Sequence, residues 1–196
     1  MNYLFSPTKA THGILSYDHK NSVDYSLFIE GMSLKGISSP LIFHVKKESD
    51  LKRLLKSNLI RSTGPDLVSQ RLREVLEELA PLDVEFIDVS IDYVGQSIEG
   101  FSCINPIWKI SCVDLDASEY ELANFDPNNP EYTFQYMVLR DKIEPPVQIA
   151  RCAEQPRKLV VGDMIKDACV AKKITGLDFC RAEDMTYKDR TICESI

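Results

Sequence analysis

The sequence predicts an α+β fold, on three observations. Short runs rich in β-branched and aromatic residues recur along the chain. Two longer segments space their apolar residues as a helix does. The order reads strands, helix, antiparallel-looking strands, helix, strand, not a regular alternation of strand and helix. The expected architecture is a strand-rich N-terminal part, then an antiparallel or mixed sheet packed with two main helices. With 196 residues, 44% of them hydrophobic, the chain can bury one sizeable core, with room for a small subdomain. The expected division is a strand-rich region over 1–62, an α+β domain over 63–182 and a loosely held polar tail over 183–196.

Each element has its own signal. Residues 26–29 and 40–45 are short apolar runs between turn-formers and read as strands, with Gly31, Gly36, Ser38, Ser39 and Pro40 marking the loop between them. Residues 48–56 read as a short helix with Leu51, Leu54 and Leu55 on one side. The clearest helix is expected over 65–79: Pro65 suits a first turn, Leu67, Val68, Leu72, Val75, Leu76 and Leu79 make an apolar face, and Pro81 ends it. Residues 84–94, 101–113 and 134–139 read as strand regions, the last two separated by the turn signal Pro127-Asn-Asn-Pro130. Short strands are expected at 149–152 and 158–161. A helix over 163–173 carries Met164, Ile165, Ala168 and Cys169 on its apolar side, and Gly176 precedes a last strand at 177–179.

Composition excludes several classes. No apolar run approaches the roughly 20 residues of a membrane helix, and the N-terminus does not read as a secretory signal, so the cytoplasm is the expected compartment. Six cysteines, at 103, 112, 152, 169, 180 and 193, form no C-x-x-C pair, and no histidine follows His44; a zinc site would need an unusual ligand set. Buried or free thiols are expected rather than a disulfide framework. The net charge of -7 repels nucleic-acid phosphate and anionic membranes and leaves basic proteins as partners.

Catalytic motifs do not emerge. There is no G-x-G-x-x-G, Walker-type loop or G-x-S-x-G elbow. Of the three histidines, His12, His19 and His44, the two near the terminus, His12 and His19 beside Asp18, read as solvent-facing loop residues before an acid–base or metal site. Asp114-Leu-Asp116 with Glu119 and Glu121 offers hard oxygen ligands of the kind that hold magnesium or calcium. The first reading is a helix start, with Asp116 as N-cap and Glu119 at the third helical position. No catalytic residue, metal ligand or cofactor is assigned. The charge pattern says more: residues 83–136 hold eleven acids against the single base Lys109, a net -10 in 54 residues, leaving +3 elsewhere. Tyr93, Phe101, Trp108, Tyr120, Phe125, Tyr132, Phe134 and Tyr136 are interleaved with those acids. Such a stretch reads either as a docking surface, with acids steering and rings anchoring a basic partner, or as strands with solvated acidic outer positions.

Three segments carry a family resemblance: Asp92-Tyr-Val-Gly, the run from Trp108 to Tyr120, and the late Leu159-Val-Val with Thr175-Gly-Leu-Asp-Phe179. They resemble the immunity-protein-eleven family of bacterial polymorphic toxin systems, through Val113, Asp114, Leu115, Asp116, Ser118, Gly176, Leu177 and Phe179. The similarity spans about residues 65–180; residues 1–60 carry none of it. Where the family often has a Phe-Arg pair before the last helix, this chain has Ala150-Arg151. The resemblance implies a cytoplasmic antidote that binds and blocks a cognate toxin, and does not act as an enzyme. The residues expected to meet a basic toxin are Asp92, Glu99, Trp108, Asp114, Asp116, Glu119 and Glu121. The competing readings are a hydrolase, using either a metal on Asp114 and Asp116 or a Cys–His pair, and an adaptor that binds a protein other than a toxin.

Overall fold

A computed structural model describes residues 2–8, 13–37, 40–122, 130–181 and 193–196. In chain order the first elements are β1 (Asn2–Pro7), β2 (Ser16–Tyr17), β3 (Ile42–His44), α1 (Glu48–Leu54), β4 (Leu59–Ile60), β5 (Leu67–Ser69) and α2 (Gln70–Leu79). The middle of the chain adds β6 (Val84–Asp88), β7 (Ser90–Tyr93), β8 (Gln96–Ile98), β9 (Phe101–Pro106), β10 (Lys109–Ile110), β11 (Glu119–Leu122) and β12 (Tyr132–Tyr136). Last come β13 (Ile149–Cys152), β14 (Gln155–Gly162), α3 (Asp163–Ala171), β15 (Leu177–Cys180) and β16 (Glu194–Ser195). The class is α+β, with mixed and antiparallel sheets. No helix among the described residues is long and apolar enough to cross a membrane.

The largest sheet has the order β10-β13-β14-β1-β15-β16. Its central strand is the start of the chain: Leu4 lies opposite Val160 and Cys180, and Phe5 opposite Leu159 and Phe179. Strand alternation then sorts these residues. Tyr3, Phe5, Leu159, Val161 and Phe179 face a core closed by α2 and α3, with Phe5 and Phe179 rings 5.2 Å apart. Leu4, Val160 and Cys180 face a second core on the other side.

A four-stranded sheet, β4-β5-β9-β6, is buried on both faces. Leu59, Val68 and Ile104 point into the core beneath α2 and α3. Their neighbours Ile60, Leu67 and Cys103 point into a third core, shared with Phe28, Leu54, Phe43 and Ile91. The remaining four-stranded sheet, β2-β3-β7-β8, closes that third core. Two glycines permit close approaches here. A Cβ on Gly31, whose φ is +64°, would lie 2.5 Å from Lys109 Cβ, and one on Gly64 would lie 2.5 Å from the Tyr17 ring.

Several expectations are corrected. Residues 26–29 are not a strand: Tyr25–Ile29 is a 3-10 turn, capped by the Asp24 side chain accepting from Ser26 N. The helix expected from Pro65 starts at Gln70, because Leu67, Val68 and Ser69 pair with Cys103, Ser102 and Phe101 on β9. Ser69 then caps it by accepting from Leu72 N at 3.3 Å. No helix follows Asp116; the chain enters β11 directly. Residues 193–196, expected to be loose, are held. Cys193 forms a disulfide with Cys180, β16 pairs with β15, and Ile196 exchanges backbone bonds with Leu177 at 3.0 and 3.2 Å. Antiparallel return of the chain brings those two cysteines together, while Cys103, Cys112, Cys152 and Cys169 are free and buried, as expected of reduced thiols.

Phe179 is 1% exposed and touches both Phe5 and Tyr3. Phe179→Ala is expected to cost about 3–5 kcal/mol, and urea denaturation of the two proteins measures it. Gly31→Ala is expected to destabilise as well, by more than about 1 kcal/mol, since both φ and the contact with Lys109 oppose a Cβ.

Candidate partner-binding surface

β11 and β12 form a two-stranded ribbon that pairs only with itself among the described residues. A lone ribbon is marginal in water, so its base must be tied down. Val113 bridges Leu139, Asp114 N donates to Val138 O at 2.9 Å, and Arg140 N donates to Cys112 O at 2.9 Å. The turn into β11 is built by Asp114, whose Oδ1 accepts from the backbone N–H of Asp116 at 3.1 Å and of Ala117 at 3.2 Å. Ser118 Oγ donates to Asp114 O and accepts from Val138 N at 2.9 Å. The capping function expected of Asp116 therefore belongs to Asp114, and it caps a turn.

One face of the ribbon is a ring ladder. Tyr120 lies 5.2 Å from Tyr132 and 5.8 Å from Phe134, and Tyr132 stacks on Phe134 at 5.8 Å. Phe134 roots the ladder in the core beneath Leu4 and Val160. Tyr120, opposite Phe134, and Leu122, one step further out opposite Tyr132, remain 38% and 58% exposed. The acids Asp116, Glu119 and Glu121 are exposed beside it, Glu121 accepting from Gln135 Nε2 at 2.9 Å. Glu119 and Glu121 alternate with Tyr120 and Leu122, so the ribbon carries rings on one face and carboxylates on the other; rings can anchor and charge can steer a basic protein.

The other expected contact residues lie on other elements. Asp92 is on β7, with an oxygen 4.0 Å from His44 Nδ1, and Asp18 approaches the other nitrogen of that ring at 3.7 Å. Glu99 is exposed between β8 and β9. Trp108, 39% exposed, precedes β10 and donates to Asp83 Oδ1 at 3.1 Å. Hairpin bonds bring Asp114, Asp116, Glu119 and Glu121 together, while Asp92 sits in the β2-β3-β7-β8 sheet. Phe125, Asp126 and His12 lie outside the described residues.

Some acids counted in the sequence are not surface charge. Glu85 is buried and accepts from Ser33 Oγ at 2.5 Å, Leu34 N at 2.8 Å and Asn105 Nδ2 at 3.4 Å. Asp83 also accepts from Gln148 N at 2.7 Å, joining Trp108 to the segment before β13.

Two further groups were not legible in the sequence. A cavity of about 230 Å³ is lined by Tyr25, Phe28, Arg61, Asp66, Arg151 and Arg157. Arg151 is buried there with Nε lacking a partner, and burial lowers its pKa. Second, Cys112, Cys152 and Glu154, all buried, are the only group of metal-type donors that converges among the described residues; Asp114 and Asp116 are not in it. The sulfur contacts of Cys103, Cys112 and Cys152 go to Ile104 O and to Glu154. No Cys–His pair forms among them.

The family model described as Immunity protein family (Imm11) matches residues 20–184. The match takes in β3, β7 and β8, and only β1, β2 and β16 among the described strands lie outside it. No curated protein matches the chain.

Burial pushes the Cys169 thiol up to about 12 and the Cys103 thiol well above its usual range. At pH 8 only about one Cys169 in ten thousand is then a thiolate. Iodoacetamide is expected to leave Cys103 and Cys169 unmodified in the native protein and to modify both in denaturant. Peptide mass mapping checks this.

Proposed function

Because the chain belongs to the Imm11 immunity protein family, we propose that it acts as an antidote. It binds a cognate toxin domain and blocks it, with the β11–β12 ribbon and its flanking acids as the docking surface. The family match across residues 20–184 carries the reading of function. The ring ladder and the exposed acids support the choice of surface. The partner is a basic protein: negative potential speeds its approach, and desolvated rings supply the affinity. Where the toxin acts on nucleic acid, carboxylates would take the place of phosphate in a basic cleft. Neither nucleic acid nor an anionic membrane suits a chain of net charge -7. The protein works by occupancy, in the cytoplasm, and turns over no substrate.

The test is titration of the purified protein with the toxin domain encoded beside it, with toxin activity measured in parallel. A one-to-one complex that abolishes activity is expected. The absence of any complex, or turnover of a substrate by the isolated protein, refutes the reading. Within a complex, Asp116→Lys combined with Glu119→Lys and Glu121→Lys is expected to slow association on the order of tenfold at low salt. The difference should shrink as salt shortens the screening length. Asp114 is left unchanged because it holds the turn. Tyr120→Ala is expected to weaken binding by about 2 kcal/mol, with circular dichroism to verify folding. Trp108 is the only tryptophan, so a blue shift of its emission on complex formation places it at the interface; unchanged emission places it outside.

A further inference from the structure

We propose that Cys112, Cys152 and Glu154 form a binding site for a thiophilic divalent ion, zinc by its donor set, that clamps the base of the β11–β12 ribbon to the six-stranded sheet. The ligand atoms all lie within 4.8 Å of one another. Glu154 Oε2 is 3.8 Å from Cys112 Sγ and 3.3 Å from Cys152 Sγ. Zinc bonds of about 2.3 Å to sulfur and about 2.1 Å to carboxylate oxygen, set tetrahedrally, imply a sulfur–oxygen separation of about 3.6 Å. The two separations bracket that value, so the donors already stand near the spacing an ion requires.

Backbone pairing sets these positions. β10 runs parallel to β13 with Ile110 opposite Cys152, and Ala153 N donates to Ile110 O at 2.8 Å. Cys112 therefore arrives beside the tight turn from β13 to β14 that carries Glu154. Two groups orient the carboxylate: Ser111 Oγ at 2.5 Å from Oε1 and Cys112 N at 3.2 Å from Oε2. Three protein donors leave one tetrahedral position, for water or the Ser111 hydroxyl. Both thiols are 0% exposed, which suits a structural ion. On binding, two S–H bonds are exchanged for two metal–thiolate bonds, two protons pass to solvent, and no electron is transferred. The next residues, Val113 and Asp114, are the base of the ribbon. The ion would tie that base to the β13–β14 turn. The site does not depend on the identity of any partner.

The full chain, stripped with chelator under reducing conditions, is titrated with cobalt(II). Expected are one equivalent bound, the visible bands of tetrahedral cobalt with thiolate charge transfer, displacement by zinc, and a higher Tm with zinc than with chelator. Cys112→Ser, Cys152→Ser and Glu154→Gln should each lose or alter that spectrum, and Cys103→Ser and Cys169→Ser should keep it. Should the serine variants fail to fold, Glu154→Gln and native mass spectrometry of the unaltered chain decide. Absence of tetrahedral bands and of stoichiometric zinc in the folded, reduced protein overturns the proposal. Bands that persist unchanged in the folded Glu154→Gln and Cys152→Ser proteins overturn it too.

Discussion

The structure depends on a sheet with no solvent side. β4, β5, β9 and β6 form a wall whose successive residues belong to different cores: Val68 and Ile104 to one, Leu67 and Cys103 to the other. Strand geometry makes this unavoidable, since neighbouring side chains point to opposite faces. Each face must then be covered by other parts of the chain. α2 and α3 with the six-stranded sheet cover one, and the N-terminal segments with α1 cover the other. A change in register at β5–β9 would exchange every residue between cores of different shape, so the pairing is fixed by packing on both sides at once.

That constraint decides how the acids are used. A chain with two-sided sheets must bury the polar groups at strand ends, and it satisfies them with carboxylates. Glu85 takes hydrogen bonds from the Ser33–Leu34 loop and Asn105. Glu154 takes them from Ser111, Cys112 and Cys152. Such acids are architecture, because a buried carboxylate needs donors before anything else. The excess negative charge of the middle third is therefore not one continuous face. It concentrates where the backbone leaves the sheets, at the turn around Asp114 and along the ribbon.

The same two-sidedness explains what the sequence revealed and what it hid. The helices near Leu72 and Ile165 are covered on one face and show helical spacing, while the strands near Val84, Phe101 and Ile149 were readable from their β-branched and aromatic composition, not from alternation. Tyr3-Leu4-Phe5 is buried on both faces and shows no alternation, so the central strand of the largest sheet could not be told from an irregular start. Leu67 and Val68 fit a helical wheel together with Leu72, and only pairing with β9 assigns them to a strand. Ser26 to Ile29 has strand composition, but the Asp24 cap closes it into a turn. The Cys112–Cys152–Glu154 group left no local signal, since its members meet through the parallel pairing of β10 and β13. The Asp114–Ser118 motif was visible, but its role as a turn became clear only with Val138 beside it.

These observations place the functional candidate at a mechanical boundary. Cys112 and Val113 are buried, whereas Glu119 to Leu122 are exposed and pair, among the described residues, with β12 alone. Phe134 packs the ring ladder against the interior, and Tyr132 O accepts from Gln155 Nε2 at 3.3 Å. Tyr120 and Leu122 thus hold apolar area in water with little to stabilise it. A monomer gains nothing from that arrangement, because the area would be better buried in its own core. On the reading proposed above, a second protein would cover the rings and make it favourable. The hydrogen-bonded turn at Asp114 would then serve affinity as well as folding, since a ribbon presented in one orientation loses less freedom on docking than a mobile loop. The packed interior fixes the geometry in which the ribbon stands, whatever covers its rings.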